Sequence, residues 1–70
     1  MATVLIADDE INLRKVLCAL LAKDRHETIA VEDGLLALAA VEEQDVDILI
    51  TDLKMPGMDG LALLDAVQQR

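Results

Sequence analysis

Ile48-Leu49-Ile50-Thr51-Asp52-Leu53-Lys54-Met55-Pro56-Gly57-Met58-Asp59-Gly60 reads as an apolar strand that ends in one carboxylate and runs directly into a loop. Within Asp47 to Ile50 three large aliphatic side chains follow one another, a pattern that suits a strand covered on both faces better than one with a wet side. Asp52 stands where that strand runs out. Pro56 biases Met55 away from helical backbone angles, and Gly57 and Gly60 permit sharp reversals, so a rigid loop is expected immediately after the acid. An acid at this place gains nothing from capping a helix and has no evident salt partner. Asp52 is therefore the first candidate site residue.

The rest of the chain is built to the same plan. Val4 to Ala7 is an apolar run too short for a helix and stops at Asp8-Asp9-Glu10, which predicts a first, central strand. Asn12 is the expected cap of the following helix, where Leu13, Val16, Leu17, Leu20 and Leu21 recur at the spacing of one helix face. Thr28 to Val31 reads as a second strand, turned by Glu32-Asp33-Gly34 into a helix over Leu35 to Val41. That helix is apolar at all seven positions, more than a one-sided helix requires. Asp47 to Thr51 is the third strand, and a third helix begins near Asp59, with Leu61, Leu64 and Val67 as its inner stripe. Strand and helix thus alternate three times with short connections, which predicts one α/β unit of parallel strands and right-handed crossovers.

Composition narrows the function. A chain of 70 residues forms one small domain and buries only about 60% of the surface that its unfolded form exposes. Hydrophobic residues make up 54% of it with no aromatic among them, so aliphatic side chains must build the core and much apolar surface is expected to stay open. The formal net charge of -8 argues against direct contact with nucleic acid or an anionic membrane and favours a cationic partner such as a metal ion. Cys18 is the single cysteine; it has no partner for an intramolecular disulfide, lies in the first helix's apolar pattern, and suits a reducing compartment. No signal peptide or membrane-spanning run is legible, and a cytoplasmic chain is expected. His26 stands alone before the second strand, where a surface or hydrogen-bonded role is commoner than metal ligation.

Ligands of open parallel sheets bind beyond the carboxyl ends of the strands, where neighbouring crossovers leave on opposite faces. If the first and third strands are adjacent, Asp8, Asp9 and Asp52 converge on one crevice. Their mutual repulsion then calls for a cation or raised pKa values. An all-oxygen set of two or three carboxylates with room for water suits Mg2+. On local sequence alone, the usual reading of Asp8, Asp9 and Glu10 is favourable charge ahead of a helix N-terminus, and that of Asp59 is a helix cap.

Together, Val4-Leu5-Ile6-Ala7-Asp8-Asp9-Glu10, Glu32-Asp33-Gly34 and the Ile50-to-Gly60 segment resemble the receiver domain of bacterial response regulators in two-component signalling. The likeness spans all 70 residues, and the wording of Thr51 to Leu64 is similar to receivers of sigma-54-dependent transcription activators. It implies a flavodoxin-like, three-layer fold with strands in order 2-1-3, of which this chain would be the N-terminal (βα)3 part as a single incomplete domain. It implies that Asp52 is the phosphoacceptor, taking its phosphoryl group from a sensor histidine kinase. Asp8, Asp9, Asp52 and the backbone carbonyl of Lys54 would hold Mg2+.

The family's sheet has order 2-1-3-4-5, and this chain stops after three strand-helix units. The strand-four Ser or Thr, the strand-five Lys and the switch aromatic have no counterpart here; Lys15, Lys23 and Lys54 are the only lysines. The third strand, central in the family, becomes an edge, which predicts self-association, most simply a homodimer through that edge or an exchange of terminal elements. No enzymatic activity of the chain's own is expected; a phosphohydrolase-type reading is the weaker one, because an Asp-x-Asp pair is absent at the end of strand one or strand three. The alternative function is a self-associating fragment whose acidic pocket is vestigial.

Overall fold

In a computed structural model, which describes residues 1–55 and 58–69, three strands alternate with three helices. They are β1 (Thr3–Ala7), α1 (Ile11–Lys23), β2 (Glu27–Val31), α2 (Gly34–Glu43), β3 (Ile48–Thr51) and α3 (Gly60–Gln68). The strands form one parallel sheet in order β2-β1-β3, so β1 is central, as its unbroken apolar run predicts. Pro56 and Gly57, on which the rigid-loop expectation partly rests, lie outside the described residues.

Alternation along β1 divides the molecule into layers. Leu5 and Ala7 face α2 and α3, where they join Ala37, Ala40, Val41, Met55 and Leu63 in the main core. Val4 and Ile6, also fully buried, point to the opposite face, where α1 packs on β1 and β2. A three-layer sandwich results.

Several local expectations need correction. Glu10 rather than Asn12 caps α1, its side chain accepting from the Asn12 N–H at 3.0 Å. The Asp8-to-Glu10 turn is itself pinned, with the Glu10 N–H donating to Asp8 Oδ1 at 2.9 Å, so the helix starts earlier than cap preference suggests. None of α1's residues is fully buried. Leu17, Cys18 and Leu21 are half-buried, while Leu13, Val16 and Leu20 stay exposed, because α1 covers β1 and β2 but does not extend over β3. For the same reason β3 is not covered on both faces: Ile48 and Ile50 are 48% and 38% exposed.

The inner stripe of α3 also differs from expectation. Leu63 is 0% exposed, whereas Leu61 is 67% and Leu64 38% exposed. Gly60 sits against the backbone of Asp52 and Leu53, which fixes the helix rotation and turns Leu63 and, one turn on, Val67 inward. The helix after β2 is longer than read, Gly34 to Glu43, capped by Asp33 with the Leu36 N–H donating to its Oδ1 at 2.8 Å. Its Leu35 and Leu36 remain exposed.

α1 closes with a residue in the left-handed region. Arg25 has φ 63°, its N–H donating to the Ala22 carbonyl at 3.0 Å and that of His26 to Leu21 at 3.2 Å. These are the two bonds of a Schellman cap, where glycine is the usual occupant.

Candidate functional site

The site forms where β1 and β3 end side by side. Asp8 follows the last residue of β1 and is held at several points. Its N–H donates to the Val31 carbonyl at 3.1 Å, its own carbonyl accepts from Arg14 Nη1 at 2.7 Å, and its Oδ1 accepts from Glu10. Only 8% of its surface is exposed, while Asp9, one residue on, is open to solvent.

Asp52 is fixed from the other strand. Its N–H donates to the Ala7 carbonyl at 3.0 Å, extending the β1–β3 ladder one residue past Thr51. Its carbonyl accepts from the Thr51 hydroxyl at 2.9 Å. The Lys54 N–H approaches Asp52 Oδ1 at 3.4 Å, a long and weak hydrogen bond. The outcome is that Asp8, Asp9 and Asp52 each present a carboxylate oxygen within 4.8 Å of the others.

Beside the three acids lies a shallow depression lined by Asp9, Leu53, Lys54, Met55 and Asp59. The structure thus brings Asp8, Asp9 and Asp52 together and sets Lys54 on the same rim. His26 is at the other end of the sheet, its Nδ1 accepting from the Ala2 N–H at 3.0 Å. Asp59 caps α3, accepting from the Ala62 N–H at 2.8 Å, yet it also lines the depression, which its reading as a cap alone missed. The bond from Arg14 to Asp8 was likewise not foreseen. Its signal was the Asp8-to-Arg14 separation, which spans the turn into α1 and brings a basic side chain back to the end of β1.

Chemically, the cluster is an all-oxygen donor set with one member sheltered. Among the described residues no lysine or arginine side chain donates to these carboxylates, since Arg14 bonds the Asp8 main chain. The concentrated negative charge fits a hard divalent cation that keeps part of its water shell, as Mg2+ does.

Known proteins agree with this geometry. The response regulator receiver domain family matches residues 4–70. The chain belongs to that family. This receiver is 42% identical to the DNA-binding transcriptional regulator NtrC of Salmonella typhimurium over 67 residues, which are 96% of this chain and 14% of NtrC. The NtrC likeness agrees with the subgroup expectation drawn from residues 51–64. Among solved structures, the receiver superposes on the chemotaxis response regulator CheY4 of Vibrio cholerae with a TM-score of 0.97 at 34% identity, covering 100% of this chain and 58% of that one. The response regulator TrrA of Thermotoga maritima, solved in complex with Mg2+-BeF, gives 0.93 at 32% identity, with 99% of this chain and 60% of that one covered. TrrA has also been solved in complex with the histidine kinase ThkA. The chain therefore spans about three fifths of the receivers whose structures it resembles. Among the described residues no helix is long and apolar enough to cross a membrane.

Proposed function

We propose that this receiver accepts a phosphoryl group on Asp52 from the phosphohistidine of a sensor histidine kinase, as part of a two-component response regulator in the cytoplasm. The observation that carries the reading is the approach of the Asp8, Asp9 and Asp52 carboxylates to within 4.8 Å of one another at the C-terminal edge of a parallel sheet, the usual place for a ligand. Asp8, Asp9 and Asp52, with the Lys54 carbonyl, would hold Mg2+. When bound, the ion offsets charge on the phosphoryl oxygens.

Asp52 is the nucleophile and needs no proton removed. Its carboxylate oxygen forms a bond to phosphorus as the phosphorus–nitrogen bond of the donor breaks. The imidazole keeps the electron pair and takes a proton from solvent. Asp8, fastened by Glu10, Arg14 and Val31, keeps the facing carboxylate in place, and the exposed Lys54 side chain stays solvated. The Mg2+-BeF and kinase complexes of TrrA support both the ion and the partner. The test is labelling by a small acyl phosphate with and without Mg2+. Label that requires Mg2+ and is lost in Asp52→Asn and reduced in Asp8→Asn supports the reading, and full labelling of Asp52→Asn overturns it.

A second reading concerns assembly. β3 is an edge strand with Ile48 and Ile50 partly exposed, and such edges recruit another strand. Two copies related by a two-fold axis normal to the sheet would pair β3 with β3 in antiparallel fashion. Directly opposite residues share a face in such a pair, so Ile48 of each copy would lie against Ile50 of the other. A chain that self-associates in this way and takes no phosphoryl label would carry a vestigial pocket.

A further inference from the structure

Two Asp-Gly pairs open the helices on one face of the sheet. Asp33 caps α2 with Gly34 as its first residue, and Asp59 caps α3 with Gly60 in the same place. Neither glycine has the positive φ that would require one, and alanine is the better helix former. What forbids a side chain is space.

A Cβ on Gly60 would collide with the carbonyl oxygen of Asp52 and lie 2.9 Å from Leu53 Cα and 3.0 Å from the Asp52 carbonyl carbon. A Cβ on Gly34 would collide with the carbonyl oxygen of Met58 and lie 2.8 Å from Met58 Cβ and 2.9 Å from its carbonyl carbon. Nearly all of these atoms are backbone, which cannot swing aside as a side-chain tip can. The Gly60 N–H also donates to the Leu53 carbonyl at 3.1 Å. The first residue of α3 is thus seated on the peptide that carries Asp52. Met58, two residues before Gly60, is seated in turn on the first residue of α2.

We propose that Gly34 and Gly60 are positioning residues of the acidic site, acting as a two-step clamp through which the N-terminus of α2 fixes where Asp52 stands. Gly60 acts directly on the Asp52 carbonyl. Gly34 acts through Met58 and never touches the acids. The consequence for metal binding rests on the reading of Asp52 as a ligand; the mechanical coupling does not.

The experiment uses the 70-residue chain and four variants: Gly34→Ala, Gly60→Ala, Met58→Gly, and Ala39→Gly as a control in the exposed middle of α2. Backbone amide resonances are recorded without metal, and Mg2+ is then titrated. The first three variants should move the Asp52, Leu53 and Lys54 resonances and weaken Mg2+ binding by roughly 10- to 100-fold, the range seen when groups that orient metal ligands are lost. Ala39→Gly should disturb α2 and leave both readouts at Asp52 unchanged. Met58→Gly keeps the carbonyl that meets Gly34 but removes Met58 Cβ and frees the backbone on either side. It therefore loosens the clamp without overpacking it, and the outcome can be read even if an alanine variant fails to fold. Unmoved Asp52 to Lys54 resonances in Met58→Gly, or an equal loss of Mg2+ affinity in Ala39→Gly, would overturn the proposal. If the unmodified chain binds no Mg2+, the phosphoacceptor reading fails, and the amide shifts still decide the coupling.

Discussion

The Asp52 N–H bonds the Ala7 carbonyl at 3.0 Å, so the last paired residue of β1 holds the acid that follows β3 while its own neighbour, Asp8, stands opposite. This one bond makes the acids of two distant segments a single cluster. It also means that the cluster and the sheet stand or fall together.

Bound Mg2+ should stabilise the fold. At a free concentration of about 100 times Kd, a ligand specific for the native state adds about 2.7 kcal/mol. Thermal melts should therefore shift upward with Mg2+ and return with a chelator, and Asp52→Asn should lose most of the shift. Equal stabilisation of both proteins would place the ion elsewhere.

Without a divalent cation, three carboxylates within 4.8 Å of one another repel. Asp9→Asn removes one charge from an exposed position without emptying the core, so metal-free urea unfolding should move to a higher midpoint. The same variant should bind Mg2+ more weakly. A metal-free midpoint below that of the parent would contradict this account of the cluster's electrostatics.

Leu63 is the inward anchor of α3, fully buried. Truncating such a leucine costs about 2–5 kcal/mol, a large share of the margin available to a domain of this size. Leu63→Ala should be largely unfolded by circular dichroism in moderate urea, whereas Leu61→Ala, on the exposed side, should unfold close to the parent midpoint.

Arg25 holds a left-handed conformation at the end of α1, where an L side chain is strained and glycine is not. Glycine's greater unfolded-state freedom offsets part of the gain. Arg25→Gly should stabilise by about 0.5–1 kcal/mol, the left-handed cost less the entropy offset, read as a higher urea midpoint with an unchanged m-value.

If β3 pairs with its copy, sedimentation should show the weight-average mass rising with concentration in the micromolar range. Ile50→Lys, which places a charge on the edge, should suppress that rise. A chain that sediments as a folded monomer throughout would remove the self-association reading.

The three strands and the acids at their tips were legible because each depends on features that a sequence states directly, whereas the strand order 2-1-3 came from the resemblance to receiver domains. Short aliphatic runs mark Val4 to Ala7 and Ile48 to Ile50, and acids follow each run; once the first and third strands are adjacent, those acids must meet at one end of the sheet. The orientation of α3 was not legible in the same way. Its residues 61–64 are Leu, Ala, Leu and Leu, so periodicity permits more than one inner face, and the choice is made by the contact of Gly60 with the Asp52 peptide. The apolar face of α1 was readable as apolar but not as covered, because burial depends on what lies opposite. The start of α1 shows a third limit: Asn12 has the better intrinsic cap propensity, and the turn fastened by Asp8 overrides it.

The most direct test of the phosphoacceptor assignment is peptide mapping by mass spectrometry after incubation with an acyl phosphate and Mg2+. The account predicts one added phosphoryl group, confined to the peptide that contains Asp52 and absent when Mg2+ is chelated. A phosphoryl group carried instead on Asp8, Asp9 or another residue, or none at all under conditions in which Mg2+ is bound, would contradict it.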